Sequence, residues 1–333
     1  GDYQQLNPIS KLVFFFYKKL NLKHQNKILN FFKKIENNLP TSNNHIKFIK
    51  LTNPNYVFVS PVNFQNRNFF LSPEIEFIKA AKNLNIKCGI YQLSWDNFNA
   101  RGIIDYEPDQ IFYWHDYSKI ILNNLHNIQN SSLIKSGPMY FERLHNLKSS
   151  IKNKIDKENY ILFLGSTDKV TDLNEEFNFI NKLLNENFIN KNKIKIYFKP
   201  HPSINIENAP LDFKNKSLKV ISSGFAITNE EINTYKKLIN SASIVCGVNT
   251  SAMFEAHVLG RKVVCINFIS KFVLPIHMKY IFDQNLFIIS NSYNHFIKML
   301  HKIKTNQIDT FNNDKFSENL PSQIIYNSIK QLL

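Results

Sequence analysis

Short runs of Ile, Val, Phe, Tyr and Leu alternate with stretches of helical periodicity through most of this chain, and the alternation halts once and then restarts. In the first half, strand-like runs at residues 56–60, 87–93 and 110–114 bracket a helix opened by Ser72-Pro73-Glu74. That opening is a cap, a proline at the first position and an early acid, and the helix behind it turns Ile75, Ile78, Ala81 and Leu84 inward. A second helix begins near His115-Asp116. Residues 144–159 are charged and weakly apolar, which suits a linker or an interdomain helix. Beyond them strands are expected at 160–164, 194–198, 218–221, 244–247 and 262–266, with helices at 173–185, 230–241 and 251–259. Strand and helix in alternation imply βαβ units, hence parallel sheets with binding loops at the carboxyl ends of their strands. The expected fold class is α/β, with two Rossmann-like doubly wound domains over 1–150 and 151–333. The closing helical regions 293–303 and 321–332 are counted with the second. Residues 8–38 read as two amphipathic helices meeting at 20–22, and 46–51 as a strand.

Length supports this division, since 333 residues at 43% hydrophobic content can bury two ordinary cores. Forty-one Lys and Arg against 26 Asp and Glu give a formal charge of +15, which favours anionic partners such as nucleotides, phosphorylated lipids, nucleic acid or a membrane surface. Heavy use of Asn, Lys, Ile and Phe matches an AT-rich coding bias, so part of this charge reflects composition. Cys88, Cys246 and Cys265 sit in apolar strand-like contexts without metal-ligand spacing, as thiols of a reducing compartment do. The apolar run at 12–17 is far shorter than the ~20 residues of a spanning helix and lacks a cleavage pattern. A cytoplasmic protein, soluble or peripheral on the inner membrane, is expected. The basic residues are dispersed, which weighs against a dedicated nucleic-acid module.

Chemistry concentrates in the second half. In Lys199-Pro200-His201-Pro202, directly after a strand, two prolines hold a cation and an imidazole rigidly at a strand's carboxyl end. Lys199 offers a point charge and His201 a hydrogen bond to a departing diphosphate. The same segment also fits a stiff turn with a solvated Lys and a capping His. Ser222 follows the next strand. Asn249-Thr250-Ser251 opens a helix whose free N–H groups and dipole suit phosphate, and Glu255, one turn after Ser251, can accept bonds from ribose hydroxyls. Ordinary N-capping is the alternative there. Gly165-Ser166-Thr167 follows the first strand of this half, so that Gly165 admits close backbone approach and Ser166 or Thr167 donates; a simple turn explains it as well.

In the first half Ser94-Trp95-Asp96-Asn97 precedes Arg101-Gly102 on one loop. Asp96 is a candidate general base toward an acceptor hydroxyl, or a brace for Asn97 and Arg101, while Trp95 stacks on a sugar or fills the core. His115 with Asp116 is a weaker base pair. Ser136-Gly137-Pro138 marks the turn out of this half.

The ordered set Ser94-Trp95-Asp96-Asn97 with Arg101-Gly102, Ser136-Gly137-Pro138, Gly165-Ser166-Thr167, Lys199-Pro200-His201-Pro202 and Asn249-Thr250-Ser251 with Glu255-Ala256 resembles the GT-B glycosyltransferases of bacterial surface-carbohydrate (capsule and O-antigen) biosynthesis. These are distantly similar to teichoic-acid glycerophosphotransferases and UDP-GlcNAc 2-epimerases. The resemblance spans roughly residues 56–269. It implies a nucleotide sugar bound by Gly165, Ser166, Thr167, Lys199, His201, Ser222, Asn249, Thr250, Ser251 and Glu255, and an acceptor glycan, free or lipid-linked, near Trp95, Asn97, Arg101 and His115. Asp96 and His201 would be catalytic, with no metal and no cofactor beyond the activated sugar itself. Polyol-phosphate transfer, epimerisation by the same fold, and non-catalytic binding of an anionic glycan or nucleic acid are the alternatives. Because residues 1–45 read as helical, with no strand and Gly-rich loop before them, the first domain is expected to be reduced or to lack its first strands.

Overall fold

The computed structural model describes residues 19–60, 73–94, 97–100, 102–139, 142, 159–168, 170–222, 224, 228–271, 286–305 and 320–333. The chain divides into two units, Gly1–Met139 with Phe316–Leu333, and Tyr140–Lys315.

The first unit opens with helices α1 (Leu22–Asn38) and α2 (Asn43–Thr52), followed by β1 (Tyr56–Val59), α3 (Pro73–Asn83), β2 (Lys87–Tyr91), the short α4 (Asn97–Ala100), β3 (Gln110–Tyr113), α5 (Asp116–Asn124) and β4 (Ser132–Lys135). Its four strands pair in chain order, all parallel. The core beneath them gathers Ile75, Ile78, Ala81, Ile90, Ile111 and Leu122, so the inward face expected of α3 is observed. The strand expected at 46–51 is instead α2. Its apolar residues satisfy both a two-residue and a three-residue repeat, and the helical one wins: Ile49 is buried while Phe48 and Leu51 face outward, and Asn53 ends the helix in the left-handed region at φ 42°. β2 stops at Tyr91 rather than 93. The side chain of Gln92 leaves the ladder, its Oε1 accepting from the Trp114 N–H at 2.9 Å and from the Ser118 hydroxyl at 3.0 Å.

The second unit runs β5 (Tyr160–Leu164), α6 (Leu173–Leu184), α7 (Asn187–Lys191), β6 (Lys195–Lys199), β7 (Leu218–Val220), α8 (Asn229–Ser241), β8 (Ile244–Gly247), α9 (Ser251–Val258), β9 (Val263–Ile266), β10 (Ile288–Ser290) and α10 (Tyr293–Lys304). β5, β8 and β9 are buried along their whole length, as expected of parallel strands covered on both faces. Helix starts are locally encoded. Asp172 accepts from the Asn174 N–H, Thr228 and Glu231 form a reciprocal capping box, and Ser292 accepts from the His295 N–H. The six parallel strands lie in the order β10-β9-β8-β5-β6-β7. Chain order therefore runs outward from β5 to one edge, returns to its other side at β8, and runs outward again. This is the doubly wound pattern, and its reversal lies between β5 and β8.

The last helix, α11 (Pro321–Leu332), groups with the first unit, whereas the sequence reading counted it with the second. Ile325 is buried, and the carbonyl of Ser328 accepts from Gln110 Nε2 at 3.1 Å, tying the helix to the start of β3. The expected linker at 144–159 lies, apart from Asn159, outside the described residues. So do residues 8–18 of the expected N-terminal helices.

Candidate functional site

In a doubly wound sheet the two loops that leave the strands flanking the reversal diverge to opposite faces and open a crevice at the carboxyl edge. Here those loops are Gly165-Ser166-Thr167 after β5 and Val248-Asn249-Thr250 after β8. Register fixes their neighbours: Leu164 pairs with Lys199 on one side and with Gly247 on the other. The turn Lys199-Pro200-His201 therefore adjoins Gly165, and Ser222 after β7 adjoins that turn. One sheet edge thus gathers Gly165, Lys199, His201, Ser222, Asn249, Thr250 and Ser251.

The glycines have a definite reason. A Cβ on Gly165 would lie 3.0 Å from Pro200 Cα and 3.1 Å from the His201 nitrogen, and the Gly165 N–H donates to the Lys199 carbonyl at 2.9 Å. The absent side chain lets the proline-stiffened turn press against the β5 loop. Gly247 is tighter still, with a Cβ there 2.7 Å from the Leu164 carbonyl oxygen.

Lys199 Nζ donates to the carbonyls of Ser222 at 3.1 Å and Gly224 at 3.2 Å, and lies 5.7 Å from the centre of the Tyr235 ring. Its charge thereby ties the turn after β6 to the loop after β7. Burial draws its ammonium below the ordinary lysine range, against the opposing pull of Glu255. His201 Nδ1 accepts from the Ser203 N–H at 3.2 Å and lies 2.7 Å from the Ser203 hydroxyl, which fixes the ring's orientation through one nitrogen. Burial, and after it the charge of Lys199, lowers the pKa of His201. Glu255 projects from α9 into this group. Burial pushes its carboxyl up to about 7, opposed by a hydrogen bond from Tyr235 and by the charges of Lys199 and Lys236.

Thr250 is the N-cap residue of α9, in extended conformation, yet its side chain makes no capping bond. The simple capping alternative therefore does not describe it. Ser251 is exposed, and Asn249 and Thr250 are half-buried. Ser166 is buried, and its backbone N–H donates to both oxygens of Glu176, at 3.0 and 3.3 Å. Burial pushes the Glu176 carboxyl up to about 7 despite these bonds. Ser166 thus anchors the loop, while Thr167 beside it is half-buried.

Glu176 and Tyr235 were not singled out from the sequence, though a signal existed for each. Glu176 sits on the same helical stripe as Ile180, Leu183 and Leu184, all buried, so periodicity alone puts it inside. Tyr235 likewise shares the inner stripe of α8 with Ile239. In the first unit Trp95, Asp96 and Arg101 lie outside the described residues. Asn97 is buried and its Oδ1 accepts from the Ser94 N–H at 2.6 Å. His115 is the buried N-cap of α5, with Nδ1 accepting from the Ser118 N–H at 3.2 Å and Nε2 3.2 Å from the Ser118 hydroxyl. Asp116 pairs with Lys135 at 2.8 Å rather than with His115. Among the described residues no group of three His, Cys, Asp or Glu side chains gathers as metal ligands.

The sequence matches no family model and resembles no curated protein. Solved structures resemble it in fold. UDP-GlcNAc 2-epimerase from Methanocaldococcus jannaschii superposes with a TM-score of 0.61 at 17% identity, covering 86% of this chain and 80% of that one. The Neisseria meningitidis UDP-GlcNAc 2-epimerase bound to UDP-GlcNAc gives 0.61 at 12% identity over 98% and 84%. A co-structure of S. aureus MnaA with UDP gives 0.58 at 12% over 87% and 77%. With its two parallel sheets and the order reversal in the second, the chain has the two-domain Rossmann-like GT-B fold.

Proposed function

We propose that this chain is a nucleotide-sugar enzyme whose second unit holds the nucleoside diphosphate at the carboxyl edge of the sheet, and that it transfers the sugar to a hydroxyl of a glycan acceptor. One observation carries the reading. At the reversal between β5 and β8, Gly165, the Lys199-His201 turn and the start of α9 come together on one edge with Glu255 behind them. The first N–H groups of α9 and the Thr250 and Ser251 hydroxyls suit the phosphates, and Glu255 suits ribose hydroxyls. As the anomeric C–O bond breaks, its electron pair passes to the diphosphate. Lys199 and His201 would stabilise that charge in a partly desolvated setting. The acceptor oxygen forms the new bond to the anomeric carbon, and its proton passes to a base, for which Asp96 is the candidate. The reaction uses no metal and no cofactor, and runs in the cytoplasm.

A second reading, epimerisation of the sugar while it remains activated, is favoured by the 2-epimerases among the fold neighbours. The two share the diphosphate site and differ in product. Incubating the protein with UDP-GlcNAc alone separates them, since only epimerisation yields a new sugar without an acceptor.

The first test is thermal unfolding with UDP and other nucleoside diphosphates. A ligand near a hundredfold above its Kd is expected to raise Tm by about 4–8 °C. His201→Ala should remove most of that rise. No shift with any nucleoside diphosphate would overturn the reading.

A further inference from the structure

A helix lying on a domain ordinarily buries its apolar stripe and shows its charges to water. In α1 the order is inverted. Its inner face carries Lys33 and Glu36, both buried. Lys33 binds Glu107 at 2.8 Å and the Asn127 carbonyl at 3.1 Å; Glu36 accepts from Lys79 at 2.6 Å. Asn30 accepts from Asn127 Nδ2 at 2.7 Å, and Leu29 is the apolar residue sealed among these contacts. The outer face holds Ile28, Phe31, Phe32, Ile35 and Leu39, with exposures of 36, 62, 57, 42 and 49%. Their spacing of three and four makes one continuous stripe. α2 repeats the pattern, with Phe48 at 54% and Leu51 at 87% exposure, each next to an exposed lysine, Lys47 and Lys50.

Buried ion pairs fix geometry more than they add stability. Those of α1 set its rotation so that the aromatic stripe faces outward. An apolar stripe turned outward in this way marks a contact surface.

The charges identify the occupant. Residues 3–73 contain ten Lys and Arg and a single acid, Glu36, which is the one buried against Lys79. Residues 1–73 carry ten cations and two acids, so +8 of the chain's +15 resides in them. AT-rich coding bias enriches Lys but gives no reason for the loss of Asp and Glu. Lys27 and Lys34 lie one turn to either side of Phe31, and both are exposed. A second copy of the chain would set lysines against lysines, with no exposed acid in the stretch to answer them. An anionic bilayer answers both features, taking the aromatic stripe at the level of its headgroups and pairing the flanking lysines with phosphates. No helix of the described residues is long and apolar enough to cross a membrane.

We propose that α1, with the outer side chains of α2, seats the first unit on the surface of a membrane carrying anionic phospholipid. The proposal is independent of the enzymatic reading. Flotation of the full chain tests it, using vesicles of phosphatidylglycerol with phosphatidylethanolamine against vesicles of phosphatidylcholine. The chain is expected to float with the anionic vesicles, to remain below with the neutral ones, and to be released by added salt. Phe31→Asn with Phe32→Asn should weaken partitioning by about tenfold or more, and Lys27→Glu with Lys34→Glu by at least about tenfold. All four positions are exposed, so Tm should stay unchanged, and circular dichroism melts verify folding. Three outcomes overturn the proposal. One is absence of binding to anionic vesicles. Another is binding that survives both double substitutions but is lost when Phe14, Phe15 and Phe16 are replaced. The third is a concentration-dependent dimer that the Phe31/Phe32 pair dissolves, which would make the stripe an interface between copies.

Discussion

The acids of the two units respond to their surroundings in opposite directions. In the first unit burial would raise Glu107, but Lys33 and the N–H groups of Asn130 and Gln129 outweigh it and hold the carboxyl low. Asp109 is likewise held low by the backbone N–H of Cys88 despite burial. In the second unit burial prevails: Glu176 and Glu255 both rise to about 7, while Lys199 and His201 both fall. In the first unit these two carboxylates find their donors within the fold. A sheet edge that shifts its cations and its acids toward neutrality is short of counter-charge and solvent, and strong shifts of this kind cluster at binding sites. A bound diphosphate would supply an anion that favours the charged forms of Lys199 and His201, against the direction in which burial moves them.

The sharpest way to break this contrast is at the glycines. Gly247→Ala puts a carbon 2.7 Å from the Leu164 carbonyl, a backbone atom of the adjacent strand that cannot turn away. It should cost on the order of 3 kcal/mol, read by urea unfolding, and remove the nucleotide-induced rise in Tm. Gly89→Ala in β2 runs into the Tyr56 hydroxyl, but this is the far end of a side chain that can swing from its bond to Gln110. Its cost should be about 1 kcal/mol, with the nucleotide response intact. Equal costs, or a nucleotide response lost in both, would show that the close packing of the second sheet has no special bearing on the site.

The legible parts of this molecule follow the same division. The second unit's strands were readable because parallel strands covered on both faces are unbroken apolar runs, such as Tyr160–Leu164 and Val263–Ile266. Loops leaving such strands fall on one edge by topology, so Gly165, Lys199, His201 and Thr250 could be grouped without coordinates. The edge strands β4 and β10 are not legible because runs of only four and three residues leave little pattern. α2 was misread because its apolar spacing fits two periods. That the Ser166 N–H is held by Glu176 was not legible, because only the packing of α6 brings that carboxylate to the loop. The inverted face of α1 was invisible because amphipathicity gives a stripe but not which side of it meets the protein.

The pH dependence of stability separates the units next. Glu176 has its folded pKa raised to about 7 from an ordinary 4.5. The native state then holds more protons than the unfolded state between those values. Its contribution is fully present below pH about 4.5 and falls away as pH rises toward 7. Glu176→Gln should flatten urea-derived stability across that window by roughly 3 kcal/mol, with Glu255→Gln removing a similar slope. Glu107, with its folded pKa lowered, contributes the opposite limb, present above its unfolded value and lost as pH falls through the folded one. Glu107→Gln should flatten only the acid side. A Glu176→Gln protein with an unchanged slope between pH 4.5 and 7 would remove the electrostatic basis of the contrast.

The smallest effect concerns His115, which the sequence offered as an acceptor-side group and the structure uses as a helix cap. Its Nδ1 accepts from the Ser118 N–H, and its ring stacks on Tyr117 at 6.1 Å. His115→Ala removes that cap and should cost about 1 kcal/mol, whereas His115→Asn, which can cap in the same way, should recover most of it. Neither should change the nucleotide-induced shift in Tm, because the groups assigned to the diphosphate belong to the second unit. If His115→Asn restores stability but transfer to an acceptor, or epimerisation, stays reduced, the imidazole acts on the substrate as well as on α5. The imidazole would then be a second group of the first unit, beside the candidate base Asp96, to act on the substrate, and compensation of buried acids such as Glu107 would not by itself mark a unit without chemistry.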